Sequence, residues 1–374
     1  MLYLDVTPYF WRTEDRGGIY HYIERFLAHL PETPEIRLLV RGRRVIDRER
    51  VSRWASKRPL LWVRLPGQLH HLVPVLYGRG TYLSLWDEIP ALLGLRAFSV
   101  LHDPRSFLYE DELLPLERTL PLYPEFSRLR EFEKRRAYFR DRRRALRKSF
   151  KRASGIITVS LFSAREIRKL GTTNVPIEAV YHGPLPVSEP EPLPGSLGRK
   201  PFVLYVGKLD PLKNIEGLLL AFEKVKARKV ALELVLAGPL TWYGRFLKER
   251  WRKLEGVHFL DFVSPGILES LYRRALFLIL PSFYEGFGLP VAEAFSRGLP
   301  VAVSNRAALP EIAGDAALYF DPLSPEEIAA AMEKLFFDEK LRRRLAIRGL
   351  ARAGKFSWKR CVERTLGLIR RWTV

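Results

Sequence analysis

The stretch that most constrains the fold runs from Leu280 to Asn305 and reads LPSFYEGFGLPVAEAFSRGLPVAVSN. Its apolar start predicts a buried strand that ends near Pro281, and its middle predicts a helix that opens at about Pro290. Pro300–Val303 predicts a second strand. Proline is tolerated in the first turn of a helix because the N–H that it lacks would have no partner there. A strand, a glycine-bearing loop, a helix and a further strand are typical of a parallel α/β sheet.

Two glutamates bracket the glycine loop of this stretch. Glu285 is predicted in the loop and Glu293 in the first helical turn, so both would line the crevice beyond the strand ends, where open α/β sheets bind ligands. The helix start suits a phosphate, and Gly286 and Gly288 let the backbone approach a ligand because they lack a Cβ. The pattern predicts a nucleotide-sugar site. The alternative is a solvated loop carboxylate and a glutamate that complements the helix dipole.

Length and composition limit the class of protein. The 374 residues suffice for two α/β domains, and the 47% hydrophobic content is that of a globular protein. No apolar run approaches the ~20 residues of a membrane span, and residues 1–10 predict a core strand rather than a signal peptide. Cys361 is the only cysteine, which excludes intrachain disulfides and favours the cytoplasm. The seven histidines show no metal-ligand spacing, so no metal site is expected.

The charge of the chain is strongly positive. A formal net charge of +21 predicts attraction to polyanions, which include nucleic acid, an anionic membrane face and a phosphorylated substrate. Only three Asn and one Gln occur in the chain. A scarcity of thermolabile amides favours a thermophilic source, although arginine usage also follows genome composition.

The first half alternates strands with helices, which implies a parallel sheet covered on both faces. Its predicted strands are Leu2–Val6, Ile36–Val40, Leu60–Val63, Phe98–Leu101, Ile156–Val159 and Ile177–Tyr181. Gly17 and Gly18 follow the first strand and can place backbone N–H groups against a phosphate; the alternative is a tight turn into a packed helix. His102 follows Leu101 and can donate a hydrogen bond to a sugar hydroxyl or a leaving group. Its alternative is a turn in which Asp103 satisfies it.

Residues 128–152 predict one long basic helix. From Lys134 to Arg152 there are eleven Lys or Arg and one acid, Asp141. The simplest interpretation is the solvated outer face of a helix that packs on the core. The second is a surface for anionic lipid or a lipid-linked phosphate acceptor. Nucleic acid ranks third, because few aromatic residues are interleaved as stacking platforms.

The second half follows a proline-rich linker and begins with the predicted strand Phe202–Val206. Lys208 and Lys213 flank the turn after it, where two ammonium groups can neutralise a diphosphate leaving group without a metal ion. Asn214 is predicted to cap the next helix. Further strands are predicted at Leu232–Leu236, Val257–Leu260 and Leu276–Leu280. The tail Phe356–Trp372 predicts an amphipathic basic helix.

These motifs resemble those of the retaining glycosyltransferases of family 4, also called group 1 glycosyltransferases. Glu285 to Glu293 looks like the E-x7-E motif of the family, and Val206 to Asn214 looks like its V-G-R-L-x-x-x-K-N loop. Lys208 stands where the family usually has arginine, so the charge is kept and the bidentate fork is lost. Further similar segments are Gly17-Gly18-Ile19, His102-Asp103, Thr158-Val159-Ser160 with Phe162-Ser163, and Leu309 to Ala317 with Asp321-Pro322.

The resemblance implies the GT-B fold, an α/β architecture of two Rossmann-like parallel-sheet domains that face each other across a cleft. It implies an acceptor-binding domain 1–184, a linker 185–200, a nucleotide-sugar-binding domain 201–355 and a terminal helix 356–374 that returns to the first domain. It also implies transfer of a hexose of mannose or glucose type from a GDP- or UDP-sugar to a glycan or lipid-linked acceptor, with retention and without cofactor or metal. The expected setting is cell-surface polysaccharide or glycolipid synthesis at the inner membrane face.

The resemblance also assigns roles to residues. Glu293 would bind the ribose, Glu285 would lie near the sugar hydroxyls, and Lys208 and Lys213 would stabilise the diphosphate. Backbone N–H groups of Phe287, Gly288 and Leu289 would contact sugar and phosphate, and His102 would act at the donor sugar.

Two other functions remain open at this point. A GT-B nucleotide-sugar epimerase would share the donor site without transferring to an acceptor. A basic nucleic-acid-binding protein with a degenerate enzyme fold would bind polyanions with a steep salt dependence; no specific nucleic acid partner is expected.

Overall fold

The protein forms two compact units of α/β structure. A computed structural model describes residues 1–10, 18–33, 35–41, 60–63, 80–86, 89, 95–102, 104, 130–171, 173–195 and 197–373. Among them, the first unit comprises the residues up to Gly183 together with those from Ser357 onward, and the second comprises Pro184–Phe356. The first unit is therefore built from two separate parts of the chain.

The first unit contains a parallel sheet of seven described strands in the order β3-β2-β1-β4-β5-β6-β7. The strands are β1 (Leu2–Asp5), β2 (Ile36–Arg41), β3 (Leu60–Val63), β4 (Thr81–Ser84), β5 (Arg96–Leu101), β6 (Gly155–Thr158) and β7 (Ile177–Ala179). All six strands predicted for this half are confirmed. β4 was not predicted, because its sequence TYLS lacks an apolar run although all four residues are buried.

Four described α-helices belong to this unit. They are α1 (Gly18–Ala28), α2 (Arg130–Arg152), α3 (Leu161–Lys169) and, from the end of the chain, the helix Trp358–Thr373. In α2 the predicted long helix is confirmed, and Leu146 and Phe150 are buried in the core. The start of α3 is fixed by Ser160, whose Oγ accepts a hydrogen bond of 3.1 Å from the N–H of Ser163. Gly17 lies outside the described residues.

The second unit contains a parallel sheet of six strands in the order β10-β9-β8-β11-β12-β13. The strands are β8 (Phe202–Val206), β9 (Glu233–Ala237), β10 (Val257–Leu260), β11 (Phe277–Leu280), β12 (Val301–Ser304) and β13 (Ala317–Phe320). The five strands predicted here are confirmed, β13 is an addition, and the α/β class with parallel sheets is confirmed.

The helices of the second unit follow its strands. They are α4 (Ile215–Ala227), α5 (Trp242–Arg250), α6 (Pro265–Arg274), α7 (Leu289–Ser296), α8 (Leu309–Ala313), α9 (Pro325–Phe337) and α10 (Glu339–Ala353). The helix Trp358–Thr373 is α11. Asn214 caps α4 as predicted: its Oδ1 accepts from the N–H of Gly217 at 3.3 Å, and its Nδ2 donates to the carbonyl of Pro322 at 2.7 Å.

The strand order of the second unit creates a switch between β8 and β11. Strands β8 to β10 follow one another towards one edge of the sheet, and β11 to β13 follow one another towards the other. β8 and β11 are neighbours, with Val203 opposite Phe277 and Leu204 opposite Leu278. The connections after these two strands therefore diverge, and such a divergence leaves a crevice in which open α/β sheets bind ligands.

Helix α11 packs on the first unit through aromatic contacts. The ring of Trp358 stacks on His182 at 5.0 Å between centroids, and Trp372 stacks on Phe98 at 5.7 Å. A Cβ on Gly183 would lie 2.6 Å from Trp358 Cδ1, so this position admits only glycine without a shift of the helix. The buried face of α11 thus forms part of the core of the first unit.

Candidate functional site

The loops after β8 and β11 lie side by side in the second unit. The N–H of Phe283, in the loop after β11, donates to the carbonyl of Leu212, in the turn after β8, at 2.9 Å. A hydrogen bond between the backbones of two loops holds the loops at a fixed distance without depending on any side chain. The residues predicted to act at the two strand ends are therefore neighbours.

Lys213 and Glu285 form an ion pair between these loops. Lys213 Nζ lies 2.7 Å from Glu285 Oε1, and the side chains are 17% and 13% exposed. Ser282 Oγ donates to the same carboxylate oxygen at 2.8 Å, and Ser304 Oγ donates to the carbonyl of Ser282 at 2.6 Å. Because the pair is largely removed from water, its attraction is stronger than that of a surface pair, and its orientation is fixed by the serine.

The position of Lys213 follows from a short 3-10 helix, Pro211–Lys213. Asp210 Oδ1 accepts from the N–H of Leu212 at 3.0 Å and caps this helix. Asn214 ends it in the left-handed region, with φ of 54°. Lys208 lies earlier in the same connection with an exposed side chain, and its carbonyl accepts from Tyr205 OH at 3.2 Å.

Tyr205 is buried beneath the two loops. Burial raises the pKa of its hydroxyl well above the usual value, and the negative charges of Glu285 and then Asp210 raise it further. The hydroxyl therefore keeps its proton and acts as a donor to the carbonyl of Lys208, which supports the turn from below.

The glycine loop ends at Gly288, which precedes the first residue of α7. Gly288 has φ of 96° and ψ of 53°, a conformation that favours glycine. A Cβ there would also lie 2.8 Å from Leu309 Cδ2. Phe287 is buried and packs edge-on against Phe356, with centroids 5.5 Å apart. The loop from Gly286 to Leu289 is thus anchored by Phe287, and its backbone leads directly into the N-terminus of α7.

Glu293 lies in the second turn of α7, so its predicted place in the first turn is wrong. The left-handed Gly288 lets the helix begin at Leu289, one residue before the predicted Pro290, and Glu293 is then the fifth residue. Its side chain is only 3% exposed. Tyr272, on α6, donates its hydroxyl hydrogen to Glu293 Oε2 at 2.5 Å.

Of the predicted residues, His102 and Gly18 belong to the first unit. His102 follows β5 as predicted, its Nε2 lies 3.0 Å from the carbonyl oxygen of Leu85, and its ring meets Tyr22 edge-on at 4.5 Å. Gly18 is exposed at the start of α1, and a Cβ there would meet nothing within 4 Å. Asp103 lies outside the described residues.

Sequence reasoning missed the partners that hold the glutamates. Ser282 immediately precedes the glycine loop and resembles any loop serine, and Tyr272 is one aromatic residue on an apolar helix face. No local pattern distinguishes either from a core residue, because their partners are distant in sequence or on another element.

The described residues contain no group of three His, Cys, Asp or Glu side chains that could hold a metal ion. Within the same part of the chain, every helix is too short or too polar to cross a membrane.

Comparison with known proteins identifies relatives of the chain. The sequence profile of "Glycosyl transferases group 1" matches residues 194–352. The O-antigen chain mannosyltransferase B of Escherichia coli is 34% identical over 287 residues, which cover 72% of this chain and 69% of that protein. The serotype-specific mannosyltransferase WbdA of Escherichia coli is 31% identical over 168 residues, which cover 42% of this chain but only 20% of WbdA. Sucrose-phosphate synthase from Thermosynechococcus elongatus shares the fold with a TM-score of 0.70 at 17% identity, over 99% of this chain and 98% of its own.

Proposed function

The chain belongs to the group 1 glycosyl transferases, and we propose that it transfers a mannosyl group from a nucleotide diphosphate sugar to a glycan or lipid-linked acceptor, with retention of configuration and without a metal ion. The Lys213–Glu285 pair carries this proposal. It puts one cation and one hydroxyl-binding carboxylate 2.7 Å apart beside the N-terminus of α7, at the switch between β8 and β11.

The parts of a sugar diphosphate match the groups available there. A phosphate suits the N-terminus of α7, where the N–H groups and the helix dipole favour negative charge. The backbone of Phe287, Gly288 and Leu289 approaches the ligand, and the side chains of Lys208 and Lys213 face the diphosphate. Glu285 accepts hydrogen bonds from sugar hydroxyls. Its carboxylate is already oriented by Ser282, so little side-chain entropy is lost on binding.

Glu293 binds the ribose in this proposal, and the first unit supplies the acceptor side. Ribose hydroxyls donate hydrogen bonds, which a carboxylate accepts well. His102 acts at the donor sugar, and Gly17 and Gly18 contribute backbone N–H groups. These roles come from the motifs that the residues share with the family.

The sugar is proposed from the relatives. The O-antigen chain mannosyltransferase B and WbdA are both mannosyltransferases by name, which favours mannose over glucose for the donor. The donor carries GDP or UDP, and the acceptor belongs to the synthesis of a cell-surface polysaccharide.

Departure of the diphosphate is assisted by electrostatic stabilisation. As the bond from C1 to the diphosphate oxygen breaks, negative charge grows on the phosphate, and preorganised cations stabilise it. The departing phosphate oxygen takes the proton of the acceptor hydroxyl, which attacks from the same face and so gives retention. The two ammonium groups then do the work that a divalent ion does in other transferases, so we expect activity to withstand EDTA.

A panel of GDP- and UDP-sugars tests the proposal, first by thermal shift and then by release of nucleoside diphosphate with and without acceptor glycans. Ligand binding to the folded state raises the melting temperature. Acceptor-dependent release supports a transferase, and release or isomerisation without acceptor would support an epimerase instead. Glu285→Gln is expected to lower kcat by about 100-fold while the protein stays folded; wild-type turnover in this variant would refute the assignment.

The basic face of α2 is proposed to contact an anionic membrane that presents the acceptor. Leu146 and Phe150 are buried, whereas Arg144, Arg147 and Lys148 are exposed. Cations on an exposed helix face are attracted to anionic headgroups by about 1 kcal/mol each. Sedimentation with vesicles of anionic and of zwitterionic lipid at low and high salt tests this contact, and equal recovery with both lipids would rule it out.

A further inference from the structure

The carboxylate of Glu293 is held by a buried network on two helices. Tyr272 and Glu269 lie on α6, Glu293 lies on α7, and Arg297 is the residue that caps the C-terminus of α7. Tyr272 donates to Glu293 Oε2 at 2.5 Å, and Arg297 places its guanidinium carbon 4.9 Å from the centroid of the Tyr272 ring. Arg297 Nη2 also lies 2.7 Å from Glu269 Oε2. Tyr272, Glu269 and Glu293 are at most 3% exposed, and the side chain of Arg297 is 7% exposed.

Arg297 fixes the ring of Tyr272 from one side. Its Nε donates to Glu269 Oε2 at 2.8 Å, and its Nη1 donates to the carbonyl of Glu293 at 3.1 Å. A guanidinium held at two points is restricted in rotation, and its position over an aromatic face adds a cation–π attraction. The ring of Tyr272 is therefore held in one position, with its hydroxyl directed at Glu293.

The direction of the hydrogen bond is set by the environment of the tyrosine. Burial raises the pKa of the Tyr272 hydroxyl well above its usual value, and the neighbouring charge of Glu293 raises it further. The hydroxyl thus keeps its proton and donates a hydrogen bond to the carboxylate. A donated bond to one oxygen fixes the rotation of the carboxylate plane and, with it, the direction of the second oxygen.

We infer that Tyr272 is a positioning residue for Glu293 and that the Arg297–Glu269 pair holds Tyr272 in place for this purpose. The inference rests on the proposed function, in which Glu293 binds the ribose. Tyr272 does not touch the nucleotide itself. It sets the orientation in which the carboxylate meets the ribose hydroxyls, and so it determines the preference of the site for a ribonucleotide over a deoxyribonucleotide.

The competing interpretation is a network that only joins α6 to α7. A structural network predicts that loss of the tyrosine hydroxyl lowers stability and changes the affinities for ribo- and deoxyribonucleotides by the same factor. A positioning role predicts that the ratio of the two affinities changes. The ratio therefore separates the two interpretations, because a general loss of stability cancels from it.

The experiment uses the full chain and compares the calorimetric affinities of GDP with 2′-deoxy-GDP and of UDP with 2′-deoxy-UDP. For the nucleotide that binds, we expect wild type to prefer the ribo form by about tenfold, as for one hydrogen bond to a charged group. Tyr272→Phe keeps the ring under Arg297 and removes the hydroxyl, so the preference is expected to fall to about twofold. Tyr319→Phe is the matched control. It removes a hydroxyl of the same unit that donates to the carbonyl of Gly314, and it should leave the ratio unchanged.

A second variant keeps the test decisive if Tyr272→Phe does not fold. Arg297→Lys keeps the charge but cannot make both contacts that Nε and Nη2 of the guanidinium make with Glu269 Oε2. It is expected to reduce the same preference. If wild type prefers the ribo form and neither variant changes the ratio, the positioning role is wrong and the proposed function stands. If wild type binds the two forms equally, the ribose role of Glu293 fails and the inference fails with it. If neither diphosphate binds to wild type, both the proposed function and the inference are overturned.

Discussion

His182 stacks on Trp358 with 5.0 Å between ring centroids, so the residue just before the chain leaves the first unit touches a residue just after the chain returns to it. The same histidine meets Tyr22 edge-on at 5.7 Å, and its Nδ1 lies 2.9 Å from the carbonyl oxygen of Gly183. The point where the chain leaves this unit and the point where it returns are therefore joined through the buried ring of His182.

The burial of His182 predicts a loss of stability in mild acid. Burial lowers the pKa of its imidazole from 6.5 to about 4; the bond to Gly183 opposes this shift, and His102 adds to it. Between these two pH values the unfolded chain binds a proton that the folded chain refuses, so stability decreases as pH falls. The loss is at most about 3 kcal/mol. Urea unfolding at pH 7.5 and pH 4.5 measures it.

His182→Phe is the test variant for this pH dependence, because phenylalanine keeps the stacking and cannot titrate. The difference in stability between the two pH values should shrink in this variant. It should not shrink in the control His29→Gln, whose histidine is exposed on the first unit. An equal pH dependence in wild type and His182→Phe would show that other groups are responsible.

Cys361 is predicted to be unreactive in the folded protein. It is fully buried in α11, with its sulfur 3.6 Å from Tyr22 OH. Burial raises the pKa of the thiol to about 12, although hydrogen bonds with Tyr22 and Thr365 lower it in part. Thiolate is the reactive form, so a disulfide reagent should label the native chain only as fast as α11 opens. Because it is the only cysteine, rapid labelling of one thiol per native chain would contradict the packing of this helix.

Lys213→Ala is predicted to weaken binding of a nucleoside diphosphate by about tenfold, since one charge-assisted contact is lost. The variant also leaves the largely buried carboxylate of Glu285 without its cation, so it should lose stability. Adding Glu285→Gln to Lys213→Ala should recover stability without recovering affinity. Lys224→Ala is the control, because Lys224 pairs with Glu326 on an exposed surface. Calorimetry that finds equal affinity for wild type and Lys213→Ala would exclude a phosphate role for this lysine.

Gly288→Ala is predicted to cost about 1–3 kcal/mol of stability, because alanine is strained at the positive φ of this position. The new Cβ would also press on Leu309, which is fully buried. Gly367→Ala lies in the interior of α11, where the added Cβ would meet nothing within 4 Å apart from the neighbouring backbone of the helix, and it should instead stabilise the protein by about 0.5–1 kcal/mol. Denaturation midpoints of both variants check the contrast, and a neutral Gly288→Ala would mean that the loop conformation is not fixed.

Much of the fold could be predicted from the sequence. Apolar runs identified eleven of the thirteen described strands, and the motif residues identified the family and the GT-B fold, both of which the relatives confirm. β4 and β13 escaped because each mixes polar or partly exposed positions with apolar ones.

The contacts of the candidate site could be predicted only in part. The sequence placed Lys213 and Glu285 at the ends of two strands. Their contact depends on β8 and β11 being neighbours, and the sequences of these two strands do not determine the order of strands in the sheet. The turn that carries Glu293 depends on where Gly288 lets α7 begin. Tyr272 meets Glu293 only through the packing of two helices. Such relationships depend on tertiary structure and have no local signal.

The division of the first unit also determines the order in which the protein can be completed during synthesis. A ribosome releases Pro184–Phe356 before Ser357–Thr373, so the second unit has all its residues while the first still lacks α11. Until α11 emerges, the surface that it covers around Tyr22, Phe98 and His182 faces water or a chaperone. The first sheet to be translated is therefore the last to acquire its full core, and damage to the final helix would act on a domain that was made at the start.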